Sequence, residues 1–155
     1  MFETINGMPA HVLLVHAAVV FVPLLALGAI VFAVWPAVRA RIDWAVALLA
    51  VVAPLSALFS MISGNAFYEM RVADGTPEQF LDQIGEHASY GQRTFFFSLG
   101  LGLVTGALLL LRRRAGTPKA VTVGLSVVAV VLAVITGYFV VMTGDTGAAM
   151  NWKIS

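Results

Sequence analysis

Three histidines, His11, His16 and His87, are the residues of this sequence whose side chains could bind a metal or a cofactor. His11 and His16 lie at the start of an apolar run that is long enough to cross a bilayer. An ionisable ring at that depth is unfavourable without a partner or a ligand, so these rings mark a candidate functional site. The chain has no cysteine, which excludes disulfides, thiolate-bound zinc and cysteine-bound iron–sulfur clusters.

The spacing of the histidines predicts which of them face the centre of a helical bundle. His16 follows His11 by five positions, so the two rings point about 140° apart around a helix and only one can face inward directly. His16 is the better inward candidate because it lies deeper in the apolar run, whereas His11 is suited to a cap or a surface position. His87 is predicted to face inward because it begins a stripe of polar and small residues at helical spacing, namely Gly91, Thr94, Ser98 and Gly102.

Two imidazoles that face each other from different helices are what bis-histidine ligation of haem b requires. We therefore expect a haem b site with His16 and His87 as axial ligands, and with His11 as a substitute for either. Arg93 is placed to neutralise a haem propionate. This chemistry describes a small redox subunit of the membrane that transfers electrons near its extracytoplasmic face.

Two alternatives remain open at this point. A compact transition-metal site would use imidazole and carboxylate ligands, with His11, His16, His87, Glu86 and Asp145 as the candidates. The histidines can also serve only as hydrogen-bonding groups between helices, in a cofactor-free accessory or assembly subunit of a larger respiratory complex. No catalytic residue is predicted, because no nucleophile elbow, Gly-rich phosphate loop or HExxH motif is present. An electron-transfer or accessory role is therefore favoured over a stand-alone enzyme.

The composition indicates the elements that must position these residues. Of the 155 residues, 60% are hydrophobic and 11% charged, and the mean hydropathy is +0.94. A soluble domain would have roughly a quarter of its residues charged. Four apolar runs, at about 11–35, 44–63, 88–111 and 120–142, are each long enough for ~30 Å of hydrocarbon. The sequence predicts an all-α polytopic membrane protein, a bundle of four transmembrane helices in a single domain over 1–155.

The segment between the second and third runs is the longest polar stretch of the chain. Thr76-Pro77-Glu78 is typical of a helix start, and Phe80, Leu81 and Ile84 form an apolar face. We expect a short amphipathic helix here, lying on the membrane surface and ending at Gly85.

The charges of the loops predict the topology. One side has six basic residues and a single acid, Asp43; the basic residues are Arg39, Arg41, Arg112, Arg113, Arg114 and Lys119. The other side has the basic residues Arg71, Arg93 and Lys153 and the acids Glu3, Glu69, Asp74, Glu78, Asp82, Glu86 and Asp145. The positive-inside rule places the first side in the cytoplasm and both termini outside, with all three histidines in the outer half. Topology accounts for the run Arg112 to Arg114, so no nucleic-acid partner is expected.

The chain resembles the bacterial four-helix membrane proteins known as domain of unknown function 2231, over nearly its whole length. The first helix carries the most specific part of the resemblance, and His87 heads the third. The other matching parts are the small residues that end the second run and a glycine-flanked element after the fourth. The matching stretches are Pro9-Ala10-His11-Val12-Leu13-Leu14-Val15-His16 with Pro23, Ser63-Gly64-Asn65-Ala66, and Gly144-Asp145-Thr146-Gly147-Ala148 through Trp152.

The resemblance implies a place in membrane electron transfer, because some members of the family are joined to Rieske-type or cytochrome-like domains. The apolar composition implies a lipid bilayer as the surrounding medium. We expect the bacterial inner membrane as the location, and a larger respiratory or redox complex or a homo-oligomer as the partner. Many members have a histidine where this chain has Asp145, so the chain departs from the family at that candidate ligand.

Overall fold

Four long helices form the chain. The computed structural model describes the backbone of residues 4–5 and 8–152 and the side chains of residues 11–150; Glu3 and Lys153 lie outside these ranges. The helices are α1 (Ala10–Val34), α2 (Arg39–Ala73), α3 (Glu78–Arg113) and α4 (Lys119–Trp152). A short antiparallel pair, β1 (Thr4–Ile5) with β2 (Met8–Pro9), precedes α1, and a 3-10 helix, Pro36–Val38, links α1 to α2. All four helices are long and apolar enough to cross a membrane, which confirms the predicted multi-pass helical fold.

The helices pack as a square in which each contacts two neighbours. α1 and α3 each pack against both α2 and α4, whereas α1 and α3 contact each other only slightly because they lie on a diagonal. Short connections make consecutive helices antiparallel. The α1–α2 and α3–α4 connections therefore lie at one end of the bundle, together with its basic residues, and the α2–α3 connection lies at the other.

Small side chains fill the bundle core. Its largest cluster consists of Val22, Leu25, Ala26, Ala29, Ala53, Ala57, Leu101, Ala129 and Ala133. The hydrophobic effect contributes little to the association of apolar helices in lipid. Helices in a membrane associate instead through the close van der Waals packing that small residues allow. Large apolar side chains such as Leu27, Leu103 and Leu110 lie exposed on the outside, where lipid would cover them.

The closest approach of α2 and α3 lies where Pro54 meets Gly102. A Cβ atom built on Gly102 would lie 2.5 Å from the carbonyl oxygen of Ala50 and 3.1 Å from Cγ of Pro54. α2 continues through Pro54 without a break, and the proline is buried against the backbone of α3. Gly102 therefore lets α3 pack closely against Pro54, and a proline inside a transmembrane helix requires such a packed neighbour.

Three helices are longer than the apolar runs that predicted them. α2 continues past Ser63 to Ala73, and α4 continues past Met142 to Trp152. Hydropathy marks only the residues that suit hydrocarbon, whereas a helix at 1.5 Å per residue can project beyond it. Helices of 34–36 residues extend about 50 Å, so α2, α3 and α4 project beyond the membrane at the acid-rich end.

The amphipathic surface helix expected before Gly85 is not a separate element. Its residues form the first two turns of α3, which begins at Glu78 and runs through Gly85 without interruption. A single glycine within a helix costs only about 1 kcal/mol, too little to end one that continues into a packed bundle. The chain reverses instead at residues 74–77, where Gly75 adopts a φ of +70°, a left-handed conformation that glycine adopts readily.

Arginines tie the helices together at the basic end. Arg39 donates hydrogen bonds to the carbonyl oxygens of Phe32 and Ala33, both at 2.7 Å, and so satisfies two acceptors at the end of α1. Arg113 forms an ion pair with Asp43 at 2.7 Å, which joins α3 to α2. Two of the basic residues that predict the topology, Arg39 and Arg113, thus also stabilise the ends of the helices.

We expect Gly102→Ala to destabilise the bundle, because the new methyl group would overlap backbone atoms of α2 that cannot move independently. Overpacking of this kind costs about 1–3 kcal/mol, so the thermal midpoint in detergent should fall. Gly106→Ala is the matched control, since nothing lies within 4 Å of its added Cβ. Equal midpoints for the two variants would contradict the proposed close contact.

Candidate functional site

Two of the three histidines meet between the diagonal helices. The ring centroids of His11, in the first turn of α1, and His87, in α3, lie 6.2 Å apart with their planes at 82°. Because α1 and α3 scarcely contact each other elsewhere, the two imidazoles approach across the gap that the square arrangement leaves at this end of the bundle.

Hydrogen bonds from α2 fix the ring of His11. Its Nδ1 lies 3.1 Å from the carbonyl oxygen of Ser60 and 3.3 Å from Oγ of Ser63. A carbonyl oxygen only accepts, and the hydroxyl of Ser63 already donates its hydrogen to Ser60 O at 3.0 Å. The hydrogen of His11 is therefore on Nδ1, and the ring also stacks on Phe67 with the centroids 6.2 Å apart.

Hydrogen bonding to α4 fixes the ring of His87 in the same way. Its Nδ1 lies 3.2 Å from Oγ1 of Thr146. That hydroxyl donates its single hydrogen within α4, to the carbonyl oxygens of Met142 at 2.8 Å and Thr143 at 3.2 Å, so it can only accept from the ring. His87 also carries its hydrogen on Nδ1, which makes Nε2 the acceptor in the neutral ring.

A glycine beside each hydroxyl makes room for the ring. A Cβ atom on Gly64 would lie 3.1 Å from Cε1 of His11, and one on Gly147 would lie 3.1 Å from Cε1 of His87. Each half of the chain thus repeats one arrangement, in which a histidine of the first helix packs on a hydroxyl residue and a glycine of the second. The sequence carries the signal as Ser63-Gly64 and Thr146-Gly147, but both dipeptides fall where the helices were expected to end.

The two imidazoles line one cavity of about 720 Å³ at the acid-rich end of the bundle. Apolar side chains form most of its wall, among them Val15, Ala57, Phe80, Ile84 and Val140. Neither Nε2 atom has a hydrogen-bond partner among the described residues. The site therefore presents two bare imidazole nitrogens within a largely apolar space.

The structure reverses the orientations expected for His11 and His16. His16 is exposed, donates from Nδ1 to the carbonyl oxygen of Val12 and borders the same cavity. His11 packs inward instead, because α2 continues past residue 63 and provides Ser60, Ser63 and Gly64 opposite the first turn of α1. The expected angle between the two rings explains why only one of them meets His87.

The charged candidates lie apart from the ring pair. Arg93 is exposed, and its guanidinium lies over Tyr90 and Phe139, 5.6 and 5.8 Å from the ring centroids, outside the cavity lining. Arg71, which sequence reasoning left out of the site, does line the cavity. Glu86 and Asp145 are exposed, and no three His, Cys, Asp or Glu side chains cluster as metal ligands anywhere in the described part of the chain.

We expect imidazole ¹⁵N spectra of the cofactor-free, histidine-labelled protein to show Nδ1 protonated and Nε2 bare in both His11 and His87. Gly147→Ala should shift the His87 signals, because its added Cβ would lie 3.1 Å from Cε1 and the ring would have to move. Gly144→Ala, one turn away with nothing within 4 Å of its Cβ, should leave these signals unchanged. Protonation of His87 at Nε2 would contradict the hydrogen bonding described above.

Comparison with known proteins places the chain in a family. No curated protein and no solved structure matches it. The model of a family described as predicted membrane protein (DUF2231) matches residues 7–155, a range that contains all four helices and the histidine pair. Since that match covers nearly the whole chain, the protein belongs to the DUF2231 family of membrane proteins.

Proposed function

We propose that this protein binds haem b between His11 and His87 and transfers electrons near the extracytoplasmic face of the bacterial cytoplasmic membrane. The observation that carries the proposal is the imidazole pair, with its centroids 6.2 Å apart. A metal–imidazole bond is ~2 Å long, so a gap of this size between the rings would let His11 and His87 hold one metal centre between them. The spacing between the rings therefore suits a shared metal centre.

The hydrogen bonds of the two rings support ligation. A histidine that binds a metal through one nitrogen donates the other N–H to a carbonyl, hydroxyl or carboxylate, which fixes its tautomer and orientation. His11 donates to Ser60 O and Ser63 Oγ, and His87 donates to Thr146 Oγ1. Both rings are thus held by their Nδ1 atoms, with Nε2 left for a ligand.

The surroundings suit a large, flat, mostly apolar group better than a bare ion. The cavity of about 720 Å³ lies within the range of 300–1,000 Å³ that is typical of cofactor sites. Gly91 contributes a small residue to its wall, and Arg71 contributes a cation that can pair with a propionate. We assign to Arg71 the role that sequence reasoning gave to Arg93. A site for a bare ion would need further ligands, and the carboxylates of Glu86 and Asp145 are exposed away from the pair.

The residues of the site favour electron transfer over catalysis. Bound haem b would supply a one-electron change of oxidation state. His11 and His87 would both hold the group, so neither ring would be free to act on a substrate.

The depth of the site supports exchange with partners at the outer surface. The 24 residues from His11 to Val34 extend roughly 36 Å from the basic end, slightly more than the ~30 Å hydrocarbon core. With the basic end in the cytoplasm, the ring pair lies at the outer edge of the hydrocarbon. We propose that electrons pass between a quinol in the bilayer and an extracytoplasmic protein or a larger respiratory complex.

The test is an absorption spectrum of the detergent-purified protein after expression with sufficient haem. We expect the spectrum of a six-coordinate, low-spin b-type haem that changes reversibly on reduction. His11→Ala and His87→Ala should each abolish this spectrum, whereas His16→Ala should retain it because that ring lies outside the pair. Added imidazole should restore the spectrum of His87→Gly.

The angle between the rings sharpens the test. If the two rings keep their angle of 82° when they hold haem, the low-spin electron paramagnetic resonance signal should be strongly anisotropic. Two results would overturn the proposal: no haem spectrum even after reconstitution with haem, or an unchanged spectrum in His11→Ala and His87→Ala. Elemental analysis of the same sample would then show whether the pair holds a transition-metal ion instead.

We expect topology reporters to place both ends of the chain outside the cytoplasm. Alkaline phosphatase joined to the C-terminus should be active, and a green fluorescent protein inserted after Gly116 should fluoresce, because the basic α3–α4 connection stays in the cytoplasm. The reverse pattern would place the histidine pair at the cytoplasmic face and contradict the proposed site of electron exchange.

A further inference from the structure

A groove at the basic end, between the last turn of α1 and the first half of α4, has no part in the site described above. Its volume is about 340 Å³. Arg39, Arg112 and Ser126 are the lining residues with polar side chains, and almost all of the wall surface is apolar. We call it the basic groove; its apolar wall consists of Ala33, Val34, Val123, Val127, Val130 and Val131.

The two guanidinium groups of the basic groove have donors to spare. Arg39 is held by two hydrogen bonds to the carbonyl oxygens of Phe32 and Ala33, which fix its position and leave three of its five N–H groups. Arg112 donates from Nη2 to Ser126 Oγ at 3.3 Å, while its Nε is buried without a partner. A buried donor without an acceptor is unfavourable, so the groove favours a ligand that accepts hydrogen bonds there.

No carboxylate in the described part of the chain forms an ion pair with either arginine. Among the described residues the only ion pair is that of Arg113 with Asp43, which leaves Arg39 and Arg112 without acidic partners. Two cations that line one small groove favour an anion with several acceptor oxygens. A phosphate diester has this chemistry, and arginine binds it through paired hydrogen bonds.

The rest of the groove is suited to a hydrocarbon chain. Val123, Val127 and Val130 follow one another at helical spacing on one face of α4, and Val34 of α1 lies across from them. The arginines lie at the ends of their helices, at the level expected for lipid headgroups. The valines lie further along α4, at the level expected for the hydrocarbon. A soluble anion would use the charged end alone, whereas a phospholipid would use both.

We propose that the basic groove binds an anionic phospholipid, with the phosphate on Arg39 and Arg112 and one acyl chain along the valines of α4. Basic pockets between transmembrane helices on the cytoplasmic side bind anionic lipid headgroups in this manner. The lipid would supply acceptors for N–H groups of Arg112 that have no partner among the described residues, and it would join α1 to α4. This site is independent of the cofactor proposed for the opposite end.

The test compares lipids on the purified full-length protein. Phosphatidylglycerol added to the detergent solution should raise the thermal midpoint, and native mass spectrometry should show one tightly held molecule per chain. Phosphatidylcholine of the same chain length should bind at least about tenfold more weakly, because the groove carries two cations and no acid. Equal binding of the two lipids would overturn the proposal.

Single substitutions test the charged part and the apolar part of the groove separately. Arg112→Gln should weaken phosphatidylglycerol binding about tenfold or more through the loss of charge-assisted hydrogen bonds. Arg114→Gln, a neighbouring exposed arginine outside the groove, should leave binding unchanged. Val127→Trp should block the acyl chain, whereas Val134→Trp, at a similarly exposed position seven residues along α4, should not.

Two results would refute the assignment. If inorganic phosphate at millimolar concentration stabilises the protein as strongly as phosphatidylglycerol does, the groove binds a free anion and no lipid. If Arg112→Gln and Val127→Trp both fold, by circular dichroism, and bind phosphatidylglycerol like the unsubstituted protein, the lipid binds elsewhere.

Discussion

The hydrogen bonds from the Nδ1 atoms of His11 and His87 are the interactions on which the candidate site depends. Each joins a histidine to the helix that follows it in the chain, through Ser60 O and Ser63 Oγ in one half and Thr146 Oγ1 in the other. Because the acceptors cannot donate in return, both rings are held in one tautomer. Without these bonds, the rings could rotate and the 6.2 Å spacing would not be maintained.

Close packing of small residues makes this geometry possible. Alanines in the core and Gly102 at the α2–α3 contact allow the helices to approach closely along most of the bundle. At the acid-rich end the same square arrangement leaves a gap between α1 and α3, because helices on a diagonal scarcely touch. The helices are therefore closely packed along the core and further apart at the end where the two imidazoles meet.

The sequence predicted the membrane class and the number of helices because hydrocarbon imposes a minimum length on every apolar segment. It also singled out all three histidines as candidates. It predicted that His16 rather than His11 faces inward, and this was wrong because the choice depends on how far α2 extends beyond the apolar run. Ser63-Gly64 and Thr146-Gly147 suggested helix ends from their composition. Packing against a neighbouring helix outweighs the weak helix propensity of glycine, so both dipeptides lie inside helices.

The repetition of one histidine site in each half of the chain has a consequence for symmetry. A hairpin of two membrane helices returns to the side on which it began, so two hairpins in succession share an orientation. The histidine of each hairpin therefore lies at the same end of the bundle, and the two halves present their imidazoles to each other from opposite corners of the square. The halves differ at the acceptor, which is the hydroxyl of serine in one and of threonine in the other.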